Sequence, residues 1–93
     1  MVYLVTWDFN KEDPLRYQQK RAALMERFKN TECIKDPGLD SVVFVDSALS
    51  AEETYEFFNK GIFDVNDRLV VTRMTDWHAL LVTDVSNWIT ARM

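Results

Sequence analysis

Asp8 is the residue best placed for chemistry in this 93-residue chain. It follows the apolar run Val2-Tyr3-Leu4-Val5-Thr6-Trp7 and precedes the acidic, turn-prone stretch from Phe9 to Asp13. A carboxylate at a strand tip just ahead of a helix is held by a rigid element yet open to solvent, so it can reach a ligand or a metal ion. Lys11, Arg16 and Lys20 then place three cations along one side of that helix, where nucleic-acid phosphates or a charged protein partner would meet them. The ordinary alternative is a solvated helix face of mixed charge. His78 is the only histidine, the residue type first sought as a general base, but it lies between Trp77 and Ala79 with no Asp-x-His or Cys-x-His spacing. Cys33 has no histidine near it in sequence and follows Glu32, the wrong neighbour for a reactive thiolate. Both are read as structural.

Composition narrows the classes. The length predicts one domain over residues 1–93, small for a core built without metal or disulfides. At 47% hydrophobic and 13% aromatic, apolar material is nevertheless plentiful, and part of it is expected between subunits. The net charge of -4 argues against a general nucleic-acid coat. Charge is uneven, however: residues 11–35 hold seven of the eleven Lys and Arg against four acids, while residues 36–93 hold four bases against ten acids. The single cysteine excludes an internal disulfide framework, and no run approaches the roughly 18 apolar residues of a membrane span. A cytoplasmic protein with no membrane partner is the expectation.

The elements that must position Asp8 follow from local patterning. Val2 to Asp8 is apolar on both alternating faces, the pattern of a central strand. Asp13 and Pro14 read as N-cap and first helical position of a helix running to about Lys29. Asp36-Pro37-Gly38-Leu39-Asp40 is a turn between a short strand, Glu32 to Lys35, and a β-branched strand, Ser41 to Asp46. Ser50-Ala51-Glu52-Glu53 is a capping box that starts a second helix bearing Tyr55, Phe58 and Ile62, with Gly61 as its terminator. Asp67 to Met74 is a further strand. Beyond it the spacing predicts an irregular segment and a short helix capped by Asp84. The order strand, helix, strand, strand, helix, strand is the ferredoxin-like βαββαβ arrangement, an α+β fold whose antiparallel sheet carries both helices on one face. If Leu4 points toward the helices, then Tyr3, Val5 and Trp7 form an open apolar face that a second copy must cover.

Several segments are familiar. Leu4-Val5-Thr6-Trp7-Asp8, Leu39 to Ser47, Leu49-Ser50-Ala51-Glu52-Glu53, Asn66-Asp67-Arg68-Leu69-Val70-Val71 and Val85-Ser86-Asn87-Trp88-Ile89 together resemble the SinR-family group of small bacterial proteins. That group in turn is similar to the Cas-two family of CRISPR adaptation proteins and to VapD-type toxins. The resemblance implies a homodimer in which the aspartate ending the first strand, matched here by Asp8, lies near the two-fold axis and brackets a metal ion with its symmetry mate. The longer connection between the first helix and the Asp40 strand, and the tryptophan-rich C-terminus, depart from the CRISPR proteins. The functional expectation is a small homodimeric binding or interaction module with no assured cofactor. Its alternative is a metal-dependent endonuclease or ribonuclease toxin using Asp8 of both subunits with Mg²⁺ or Mn²⁺.

Overall fold

From Tyr3 to Asp8, buried residues alternate with more exposed ones, and the first strand is covered on both faces. A computed structural model describes residues 1–93. The elements are β1 (Val2–Asp8), α1 (Pro14–Lys29), β2 (Glu32–Ile34), β3 (Val42–Asp46), α2 (Ala51–Asn59), β4 (Arg68–Arg73) and α3 (Thr83–Arg92). The four strands form one sheet in the order β2-β3-β1-β4, with every neighbouring pair antiparallel. The molecule is therefore an α+β fold of one four-stranded antiparallel sheet and three helices. No helix is long and apolar enough to cross a membrane.

The two faces of the sheet have different covers. Val5 and Trp7 of β1, with Val43 and Val45 of β3, pack against Leu24 and Phe28 of α1, Phe58 of α2 and Ile62 just beyond it. Trp7 and Phe28 lie 5.5 Å apart between ring centroids, and Phe28 and Phe58 lie 4.6 Å apart. On the opposite face Val2, Phe44 and Met74 pack against Val85 and Ile89 of α3, with Leu4, Ile34, Val42, Trp77 and Trp88 around them. This reverses the expectation for β1. Tyr3, Val5 and Trp7 face α1 and α2 and are only 1%, 0% and 7% exposed, so they belong to the core and do not form an open dimer face. The Leu4 side meets α3 instead. Because both faces of β1 are apolar, its period-two pattern alone does not decide which one the helices cover.

Local chemistry accounts for the helix ends. Asp13 adopts an extended conformation and its carboxylate accepts from the Arg16 amide at 3.2 Å, with Pro14 in the first turn. The Ser50 hydroxyl accepts from the Glu53 amide and the Glu53 carboxylate accepts from the Ser50 amide, both at 3.1 Å, which closes the capping box. Those bonds hold the Glu53 carboxyl below its ordinary range. Gly61, at φ 77°, turns the chain just past α2 in a conformation that disfavours any residue with a Cβ. The start of α3 departs from expectation: the N-cap is Val82, which has no side-chain cap bond, and Asp84 lies inside the first turn. There its charge complements the positive end of the helix without capping it.

Candidate functional site

The structure divides Asp8, Lys11, Arg16 and Lys20 between two sides of the sheet. Asp8 is exposed and pairs across the ladder with Arg68 of β4. By strand alternation it shares the face of Leu4 and Thr6, the side that carries α3. Arg68 does not neutralise it, because its guanidinium donates to the carbonyls of Val65 and Asp67. No ion pair engages the Asp8 carboxylate. One chain alone offers no group of three or more His, Cys, Asp and Glu side chains placed to hold a metal ion.

Lys11, Arg16 and Lys20 lie on the other side, beside the loop that joins α2 to β4. Lys20 is a correction to the sequence reading. Its ammonium donates to Asp64 and Asp67, each at 2.6 Å, and its side chain is only 11% exposed, so it is not a free cation for a partner. Arg16 also donates to Asp64, at 3.1 Å, but most of its side chain stays in water. Lys11 is exposed, with its ammonium 5.6 Å from the centre of the Tyr17 ring.

Asp67 is the anchor of this corner. Its side chain has no exposed surface. Its carboxylate accepts from the amides of Asn10 at 2.9 Å and Asp64 at 3.0 Å as well as from Lys20. Burial opposes ionisation of Asp67, but the bonds from Lys20 and from those two amides outweigh it and hold the carboxyl below its ordinary 3.8. Asp64 is held low as well, first by Lys20 and then by the Asn66 amide. Lys20 is correspondingly raised above its ordinary 10.5 by its bonds to the two aspartates. The network ties α1 to the tip of β1 and to the start of β4.

Above it opens a pocket of about 160 Å³ lined by Asn10, Glu12, Asp13, Arg16, Lys20, Asp64 and Asn66. Its three carboxylates face two cations that are already paired to one of them. A phosphate entering here would meet Glu12 and Asp13 before any free positive charge, so the pocket is poorly suited to an anion.

Two further ties hold the C-terminal segment. The Asp36 carboxylate accepts from the Gly38 amide with one oxygen and from the Val82 amide with the other, both at 2.8 Å. Arg92, at the end of α3, pairs with Glu32 at 3.1 Å and Asp46 at 3.5 Å while lying over the Trp88 ring, and Asp46 also holds the N-terminal amine. Asp36, Asp64 and Asp67 were legible in sequence only as turn and cap residues. Their long-range partners are 44 to 57 positions away, which no local pattern announces. His78 is exposed, and the half-buried Cys33 thiol contacts the Phe28 carbonyl at 3.5 Å, so neither stands in a catalytic arrangement. No protein-family model, curated protein or solved structure matches this chain.

Proposed function

We propose that this chain is a small homodimeric interaction module on a ferredoxin-like scaffold of the SinR and Cas-two kind. The βαββαβ succession followed by α3, and the strand order with β1 and β3 at the centre, support the scaffold reading. The observation that carries the interaction reading is the part of the second sheet face that α3 leaves bare. Val70 of β4 is 54% exposed there. It lies opposite Thr6 in the β1–β4 register, with Thr72 opposite Leu4, and the outer edge of β4 has no strand beside it. An uncovered β-branched surface next to a free edge is what a second copy would cover. By contrast, Asp67, whose side chain has no exposed surface, and the lysine facing it are taken up by internal bonds. Val70→Asp places a charge in the middle of this surface, so sedimentation should show the variant as a single chain where wild type is paired. Equal sedimentation of the two proteins removes this interface.

A second reading is favoured by one observation: Asp8 is exposed on the same side as Val70 and carries no ion pair. Two copies meeting through that side would bring two such carboxylates into one interface. One carboxylate per chain suits Mg²⁺ or Mn²⁺, which keeps several waters and needs few protein oxygens. A cation held there would supply Lewis-acid activation for phosphodiester cleavage. Cleavage of RNA or DNA by wild type that Asp8→Asn abolishes is the outcome this reading requires, and identical traces from both proteins exclude it.

A further inference from the structure

Asp8 and Arg68 are exposed cross-strand neighbours on the sheet face that carries α3, and neither forms an ion pair within its own chain. One terminal nitrogen of the Arg68 guanidinium donates to the carbonyls of Val65 at 3.2 Å and Asp67 at 2.8 Å. Those bonds hold the group in place and leave its remaining N–H donors open to an anion. Along the same face Val70 stands beside Thr6, and Thr72 beside Leu4. Val65, in the loop that leads into β4, adds a further β-branched side chain at the Arg68 end, 89% exposed. This part of the face is thus an apolar strip that ends in one unpaired anion and one unpaired cation at the same level.

α3 limits how a second copy can meet that strip. Val85 and Ile89 of α3 pack with Phe44 of β3 and beside Ile34 of β2, and Arg92 pairs with Glu32 and Asp46 of the same two strands. The helix therefore stands over the β2–β3 half of the sheet, and the β1–β4 half lies beside it as a lower step. A two-fold axis running across the strands sets β3 over β3, where α3 of each copy would occupy the place of the other's sheet. An axis running along the strands instead puts α3 of each copy beside the free edge of the other's β4. The two β1–β4 halves then meet face to face, about 10 Å apart.

Charge fixes where that axis lies. Over β1 it opposes Asp8 with Asp8, and over β4 it opposes Arg68 with Arg68, both like-charge contacts that disfavour association. Midway between the strands it sets β1 over β4. Asp8 then faces Arg68 of the partner subunit, and Thr6 and Leu4 face Val70 and Thr72 of the partner subunit, because these residues are already level in the β1–β4 register.

We propose that two copies pair along this axis through reciprocal Asp8–Arg68 ion pairs, each copy supplying the charge that the other leaves unmet. The inference rests on the homodimer reading and gives Asp8 an arginine of the second copy as its counter-charge in place of a metal ion. The experiment is the solution mass, by light scattering at a concentration where wild type is paired, of Asp8→Arg, of Arg68→Asp and of their equimolar mixture. Each variant alone opposes like charges at both contacts; its dimer dissociation constant should rise at least about tenfold, and it should return the mass of one chain. In the mixture both contacts join opposite charges again, and the mass should return to twice that of the chain. Contacts within a chain are the same in the mixture as in the separate variants, so recovery reports contacts between chains. Circular dichroism establishes that each variant is folded, and Asp8→Lys with Arg68→Glu serves in the same way if either is not. EDTA should leave the wild-type mass unchanged. Variants that pair as tightly as wild type, a mixture that stays unpaired, or a wild-type dimer that EDTA dissociates would each overturn the ion pair and leave the homodimer reading standing. A wild-type mass of one chain overturns both.

Discussion

Replacing Lys20 by methionine tests the reasoning about the β1 corner. The substitution keeps the length and apolar stem of the side chain but removes the ammonium that Asp64 and Asp67 share at 2.6 Å. Removing one partner of a fully buried ion pair costs about 3–5 kcal/mol, because the other charge is left uncompensated. Here Asp67 is fully shielded but retains the amides of Asn10 and Asp64, and the Asp64 carboxylate keeps 34% of its surface in water. The expected loss is therefore smaller, about 2–3 kcal/mol, still a large part of the roughly 5–15 kcal/mol that holds a domain folded. Urea denaturation reads it as a lower midpoint at unchanged slope. Asp67→Asn should cost a similar amount. The double variant should lose less than the sum, with a coupling of about 1–3 kcal/mol, because both changes act on one network. A loss below about 0.5 kcal/mol for Lys20→Met, or strict additivity, would refute the view that this network anchors the corner.

The pH dependence gives the same network a second test. Asp64 and Asp67 have folded-state values depressed below the ordinary 3.8, so their stabilising contribution is present above that value and is lost as pH falls through the folded values. Lys20 is raised above 10.5, so its contribution is full below that value and is lost as pH rises through the raised one. Stability should thus fall at both ends for wild type, and Lys20→Met should flatten both limbs. Parallel wild-type and variant profiles would contradict this assignment.

Two further outcomes are expected. Ser50→Ala opens the capping box and should lower stability by about 1 kcal/mol in the same urea assay, whereas an unchanged midpoint would mean the box contributes nothing. Asp36→Ala leaves the Gly38 and Val82 amides without their acceptor; the expected cost is about 1–3 kcal/mol, with faster amide hydrogen exchange in α3 than in α1, and unchanged α3 protection would contradict the tie.

The local elements were legible because each rests on a short-range device. Asp13 with Pro14, the Ser50–Glu53 box and Gly61 fix where α1 begins and where α2 begins and ends, and all three are visible within four residues of sequence. The facing of β1 was not legible, since Val2 and Leu4 are as apolar as Tyr3, Val5 and Trp7. Only the packing of Phe28 and Phe58 onto Trp7 and its neighbours settles it. The C-terminal cover was obscured for a related reason: Trp77 to Val82 has no regular period, and its placement depends on a carboxylate, Asp36, that reads locally as part of an Asp-Pro-Gly turn. Lys20 shows the same limit at the candidate site. A lysine in mid-helix looks like a solvated charge until the loop carrying Asp64 and Asp67 is folded against it.

The proposed pairing through the part of the sheet that α3 leaves bare is tested most directly by the solution mass of the wild-type protein. Light scattering at micromolar concentration should return twice the chain mass, and the same measurement on Val70→Asp should return the mass of one chain. A wild-type mass of a single chain at those concentrations would overturn the pairing.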